Sequence, residues 1–250
     1  MHRAPLLTAS HIRDALRPYA PGLQALADRW IPALAFAAVA GARGASLVDV
    51  VRRSPAAADS SALVVHVLAI VESTLALLFC CLVATLFMRR YPSRGHRASM
   101  AEIAVALAGT FLMNGVLAWS VIDADWRTLV LANALLIVGL AISIHASASL
   151  GPCFGLAAEA RGLVTTGAYR LVRHPLYLGE LIAALGILLP VLAPPTALLF
   201  AVFCVCQTVR AVLEERALAA TFPEYTAYRH RTPALLPLMR PRLPFAPRDQ

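Results

Sequence analysis

The chain has 250 residues, 59% of them hydrophobic and only 14% charged, with a mean hydropathy of +0.70. A soluble domain carries about a quarter charged residues, so this composition excludes an ordinary water-soluble globule and marks an integral membrane protein. The formal charge of +8 rests on 22 basic residues, all of them arginine. They stand in short clusters between apolar spans, which is the pattern of membrane-flanking anchors and not of a nucleic-acid surface.

Residues 1–29 mix Arg3, Arg13, Asp14, Arg17 and Asp28 with short apolar runs. They lack the continuous hydrophobic core of a cleavable signal and read as a cytoplasmic segment, with a surface helix over 6–17 that Pro18 and Pro21 end. About six apolar spans of bilayer length follow, over 30–51, 61–88, 100–122, 128–150, 176–193 and 196–212. The first is interrupted by Arg43 and Asp49, and Pro194-Pro195 breaks the last two into a hairpin whose arms are short. The expected fold is all-α, a polytopic transmembrane helix bundle. Residues 30–150 form its anchor, and 151–250 hold a polar loop, the hairpin and a tail. Arg89, Arg90, Arg94 and Arg97, then Arg161, Arg170 and Arg173, then the arginines of the tail place those segments on the cytoplasmic side, and Arg52-Arg53 is the one dissonant pair. Arginine without lysine, beside abundant Ala and Leu, points to a bacterial genome of high G+C content, and so to an inner membrane.

Two polar islands stand out in the last third. One is Arg173-His174-Pro175-Leu176-Tyr177-Leu178-Gly179-Glu180, the other Arg210-Ala211-Val212-Leu213-Glu214-Glu215-Arg216. Ionised groups in lipid cost several kcal/mol each, so both belong at a membrane face or in a protein-lined cavity. A folded hairpin brings them to the same face and makes one polar site from two distant segments. Cys80, Cys81, Cys153, Cys204 and Cys206 have no ligand spacing, so neither a metal site nor a disulfide framework is expected.

The run Glu159-Ala160-Arg161-Gly162-Leu163-Val164-Thr165-Thr166-Gly167-Ala168-Tyr169-Arg170-Leu171-Val172-Arg173-His174-Pro175-Leu176-Tyr177-Leu178-Gly179 resembles the isoprenylcysteine carboxyl methyltransferase family. So does the distal set Arg210…Glu214-Glu215, Phe222-Pro223-Glu224-Tyr225…Tyr228 and Thr232-Pro233…Leu236-Pro237, in the family's order. The resemblance spans about residues 150–240 and extends to phospholipid N-methyltransferases, more loosely to membrane sterol reductases. It implies an integral membrane methyltransferase that uses S-adenosyl-L-methionine without a Rossmann fold, consistent with the absence of a strand followed by a glycine-rich turn. By the same resemblance Arg161, Gly162, Leu163, Val164, Tyr169, His174, Pro175, Leu176 and Tyr177 wrap the cofactor, Glu214 also contacts it, and Arg210 meets a substrate carboxylate. The implied partner is an amphiphilic or lipidic small molecule in the membrane, with no nucleic acid and no metal. Ala168 stands where a bulkier residue or proline is common in the family, and 222–225 is a residue shorter than in the eukaryotic enzymes.

These residue types suit the chemistry. Methyl transfer from a sulfonium is an in-line displacement governed by alignment and desolvation. A carboxylate acceptor is already ionised and needs a cation, for which Arg offers a planar fork. Arg210 and Glu214 share a helix face at i, i+4, so Glu214 is expected to orient Arg210. Tyr169 and Tyr177 offer ring faces to adenine or to the sulfonium. Tyr225 and Tyr228 read as belt or packing aromatics, Arg170 equally as an interface anchor. Glu72 and His145 read as interhelical hydrogen-bond partners, with a substrate channel as the alternative. Two competing readings remain at this stage: a dinucleotide-dependent reductase using Arg229, Arg231 and Arg240, and a transporter using Glu72 and His66.

Overall fold

A computed structural model describes residues 29–53, 60–94, 98–116 and 124–236; the expected surface helix over 6–17 and the last part of the tail lie outside these. Among the described residues there is no strand. Seven α-helices succeed one another in the described residues: α1 (Ile31–Arg52), α2 (Ser60–Arg89), α3 (Met100–Val116), α4 (Trp126–Leu150), α5 (Pro175–Leu188), α6 (Pro194–Thr221) and α7 (Tyr225–Arg231). Short 3-10 turns cover Gly151–Cys153, Gly167–Arg170 and Leu189–Val191.

Local chemistry sets the helix ends. At α3, Ser99 and Glu102 form a reciprocal capping box: the Ser99 N–H donates to Glu102 Oε2 at 2.6 Å, and the Glu102 N–H to Ser99 Oγ at 3.3 Å. We predict that Ser99→Ala lowers stability by about 1 kcal/mol, to be checked by thermal unfolding; no change would show the cap to be dispensable. Asp125 caps α4 by accepting the Thr128 N–H at 2.7 Å. Helix α4 ends where Gly151 takes a φ of +51°, a conformation that costs glycine little. Pro175 opens α5 and Pro194-Pro195 open α6, at first-turn positions where a missing N–H is harmless. Between them, Thr196 Oγ1 accepts from the Ala193 N–H at 2.9 Å and donates to Val191 O at 2.7 Å, tying the reversal together.

Among the described residues four helices are long and apolar enough to cross a membrane: Ile31–Arg52, Ser60–Arg89, the stretch Trp126–Cys153, and Pro194–Thr221. Of the expected span at 100–122, Met100–Val116 is helical and the remainder lies outside the described residues, and the expected span at 176–193 appears as a shorter apolar helix, Pro175–Val191. The hairpin's second arm is longer than expected. It continues through the charged island to Thr221 as one helix of 28 residues, because those charges find partners on other segments. At 1.5 Å per residue α6 measures ~42 Å against ~30 Å of hydrocarbon, so its polar end stands clear of the apolar layer.

Helix α4 is the axis of the bundle, packed on α5 and on α2; α1 pairs with α2, and α3 with α6. The α4–α5 contact is built on small residues, Gly139 and Ser143 against Gly179 and Ala183, as in helix pairs that approach closely in membranes. An aromatic cluster of Phe36, Phe87 and Phe154 fills the bundle where α4 ends and α5 begins; Phe36–Phe87 stack at 5.8 Å and Phe87–Phe154 meet edge-to-face at 5.5 Å. A second core of Met113, Ile187, Val191 and Phe203 closes the opposite end.

Candidate active site

The two polar islands meet at the end of the bundle where α5 starts. Arg173 and His174 lie just before α5, Tyr177 and Glu180 in its first turns, and Arg210, Glu214 and Glu215 on α6. Tyr177 donates its hydroxyl hydrogen to Glu214 Oε2 at 2.8 Å. Glu215 is the hub of the outer half. It accepts from Arg173 Nε at 2.8 Å and from His174 Nε2 at 3.0 Å, and Arg229 Nε stands 3.5 Å away. A carboxylate only accepts, so His174 donates from Nε2, and its Nδ1 lies 4.0 Å from Glu214 Oε2.

The tail locks this arrangement. The Arg173 and His174 N–H groups donate to Pro233 O at 2.8 Å and Ala234 O at 3.0 Å, and Arg173 Nη1 donates to Arg229 O and Thr232 O. Tyr228, on α7, donates from its hydroxyl to Tyr169 O at 2.7 Å. Burial holds the phenols of Tyr169, Tyr225 and Tyr228 protonated well above the ordinary tyrosine range.

These residues enclose a small polar cavity of about 50 Å³. Arg161, Gly162, Leu163, Val164, Tyr169, His174, Leu176, Tyr177 and Glu214, nine of the residues named from the sequence, line it. Pro175 does not, being buried behind them as the first residue of α5. Tyr225 and Tyr228 line it as well, although their spacing alone reads as packing; the signal for them is their i, i+3 placement on α7, which turns both to one side. Arg161 pairs with Glu159 and donates to Tyr91 O, tying the 155–166 loop to the end of α2. Its Nε has no hydrogen-bond partner, and neither has the Tyr225 hydroxyl, although both are buried. Unmet donors of this kind cost ~1–3 kcal/mol each.

Arg210 departs from expectation. It is 4% exposed and does not line this cavity. Its Nη1 donates to Glu180 Oε2 at 3.1 Å and to Gln207 Oε1 at 2.7 Å, and its guanidinium covers the Tyr177 ring at 4.7 Å. Its carboxylate partner is therefore Glu180 on α5, while Glu214 serves Tyr177. Spacing along one helix gives a shared face, but here the neighbouring helix offers the closer counter-charge.

With this geometry in place, the family match falls on the same segment. Residues 127–225 match the phospholipid methyltransferase family. The match runs from α4 to the first residue of α7 and includes both polar islands. Phospholipid methyltransferases take in the isoprenylcysteine carboxyl methyltransferase-like enzymes that the motifs resemble. Two curated proteins are similar over part of their length. The cobalt-zinc-cadmium resistance protein CzcN of Cupriavidus metallidurans is 31% identical over 145 residues, covering 57% of this chain and 64% of that protein. The nickel-cobalt-cadmium resistance protein NccN of Alcaligenes xylosoxydans xylosoxydans is 29% identical over 152 residues, covering 57% and 65%. The chain thus covers less than two thirds of either relative. Helices α1 to α3 lie outside the family segment. Of the ionisable residues singled out in them, Glu72 lines a second cavity inside the bundle and His66 a groove with Arg53 and Trp126 at the far end. His145 is exposed on α4, so it is no interhelical partner of Glu72.

Proposed function

We propose that the chain is an integral membrane methyltransferase that uses S-adenosylmethionine to methylate a lipidic acceptor, with its site facing the cytoplasm of a bacterial inner membrane. The observation that carries this reading is the cavity itself. Within the matched segment, Glu214, His174 Nδ1 and the Tyr177 ring converge on a space whose buried donors, Arg161 Nε and Tyr225 Oη, lack partners. That donor set fits the group: Arg161 and Tyr225 would hold the methionine carboxylate, Glu214 the amino group or ribose hydroxyls, and His174 Nδ1 an adenine N–H. Tyr169 and Tyr177 would present ring faces to the sulfonium. The bound group supplies an electrophilic methyl carbon. The protein supplies position and a dry surround, the two things an in-line displacement needs most.

The enclosed space is far below the roughly 300–1,000 Å³ of small-molecule sites, so entry under this reading requires the 155–166 loop to move outward. The relatives named for heavy-metal resistance suggest the setting in which the methylated lipid is used.

The test is calorimetric binding of S-adenosylhomocysteine to detergent-purified protein beside His174→Ala/Glu214→Ala. Loss of two contacts to polar or charged groups, at ~1.5–3 kcal/mol for the charged one, predicts at least ~10-fold weaker binding. Parent binding with this loss supports the site. A folded parent that binds reduced nicotinamide dinucleotide and not S-adenosylhomocysteine would transfer the reading to a reductase.

A further inference from the structure

Arg161 is held in place from outside its own segment. Its side chain is 2% exposed. A guanidinium is a rigid plane that only donates, and here two of its three nitrogens are engaged. Nη1 donates to Tyr91 O, and Nη2 to Glu159 Oε2. Anchors on two different nitrogens fix the plane, so the third donor, Nε–H, is held in one direction. Among the described residues that donor has no partner. Gly155 flanks it without a side chain: a Cβ there would stand 3.4 Å from Nε and 3.9 Å from Cδ. Arg161 and Gly155 both line the first cavity.

The anchors are themselves secured by the linker between α2 and α3. The second oxygen of Glu159, Oε1, accepts the Ala98 N–H at 3.4 Å. The Tyr91 N–H donates to Pro152 O at 2.8 Å and the Arg94 N–H to Ala160 O at 2.7 Å. The linker is thus bonded to the loop at Pro152, before Glu159, and at Ala160, after it. Tyr91, Arg94 and Ala98 all precede residue 127, where the family match begins. Both oxygens of Glu159 already have partners, one on the guanidinium and one on the linker. Its influence on a bound ligand therefore runs through Arg161.

We propose that Glu159 is a positioning residue for the methyl donor: with the Tyr91 carbonyl it sets the Arg161 plane so that Nε–H meets the donor's carboxylate. This rests on the methyltransferase reading. Helices α1 to α3 then do more than anchor the chain, since the linker that seats the donor-binding loop belongs to them. Removing the Glu159 carboxylate has two opposed effects. It frees the arginine from an anchor, and it leaves the arginine's charge uncompensated, which draws a carboxylate in. Two neutral replacements separate them: Glu159→Gln keeps an acceptor oxygen for Nη2, and Glu159→Ala keeps none.

The probes are S-adenosylhomocysteine, which carries the carboxylate, and methylthioadenosine, which lacks the amino-acid end. Their binding to detergent-purified parent and to both variants is measured by calorimetry, with thermal unfolding as the check on folding. S-adenosylhomocysteine should bind Glu159→Ala ~2- to 10-fold more weakly than Glu159→Gln, the fold-change for ordering one long side chain on binding. Methylthioadenosine should bind the two variants alike. With Arg161→Met added to each, the difference for S-adenosylhomocysteine should vanish, and this arm decides if methylthioadenosine binds too weakly to measure. Equal affinity of the two single variants for S-adenosylhomocysteine would overturn the proposal. So would an equal loss for both probes, which marks a general defect of the loop, or a difference that persists without Arg161. A folded parent that binds neither probe would instead remove the methyltransferase reading beneath it.

Discussion

Glu215→Ala should cost about 3 kcal/mol of stability and disorder the site at the same time. Glu215 is the one carboxylate shared by Arg173 and His174 among the described residues, with Arg229 a third neighbour. Its side chain is 16% exposed and that of Arg173 12%. Removing one partner of a buried ion pair costs ~3–5 kcal/mol because the other charge stays behind undercompensated. The low end applies here, since neither group is fully dry and Arg173 keeps its bonds to Arg229 O and Thr232 O. Paired with Arg173→Met in a double-mutant cycle, the coupling should fall within ~0.5–3 kcal/mol. A structural role alone would stop at stability. Here the His174 ring also loses the acceptor of its Nε2 hydrogen bond, so its ¹⁵N ring signals should shift. A stability change under 1 kcal/mol with the His174 spectrum intact would remove Glu215 from the centre of this network.

How far the sequence foretells such a network depends on which interactions are local. Spans, breaks and caps are local. The apolar runs, Pro175 and Pro194-Pro195 predict helices that the structure contains, although α6 runs on past its expected end at 212 to Thr221. The meeting of the two islands is legible too, because a short apolar hairpin with polar ends has few other folds. Partner choice is not local. The spacing of Arg210 and Glu214 reads as a pair, yet Glu180 comes from α5 and takes the arginine, freeing Glu214 for Tyr177. The tail motif Thr232-Pro233 gives no hint that the carbonyls of Pro233 and Ala234 are what hold the Arg173-His174 backbone. Tyr225 and Tyr228 resemble interfacial aromatics until α7 folds back over the 167–170 turn. In each case the deciding contact spans more than twenty residues of sequence.

The α4–α5 contact yields the second large effect, with a sign that propensity alone gets wrong. Alanine is favoured over glycine in a helix by ~1 kcal/mol, so Gly139→Ala and Gly179→Ala should stabilise if nothing else intervened. A Cβ on Gly139 would lie 2.5 Å from the Ala183 nitrogen and 2.6 Å from the Gly179 oxygen; one on Gly179 would lie 2.7 Å from the Gly139 oxygen. These are backbone atoms, so no rotamer relieves the clash and the helices must separate. Overpacking of this kind costs ~1–3 kcal/mol, which exceeds the propensity gain at its upper end and cancels it at its lower. Gly44→Ala on α1 is the control, since its Cβ meets nothing within 4 Å, and it should stabilise by up to ~1 kcal/mol. The larger consequence is positional. Helix α5 carries Tyr177 and Glu180, whereas their partners Glu214 and Arg210 ride on α6, which packs chiefly against α3. Moving α5 off α4 therefore shifts one half of the site against the other, and ~1 Å of misplacement is enough to lower turnover ~10²-fold. Gly139→Ala should thus combine a small change in unfolding temperature with a large loss of S-adenosylhomocysteine binding. If both glycine variants bind as the parent does, the two halves of the site are not held in register by this contact.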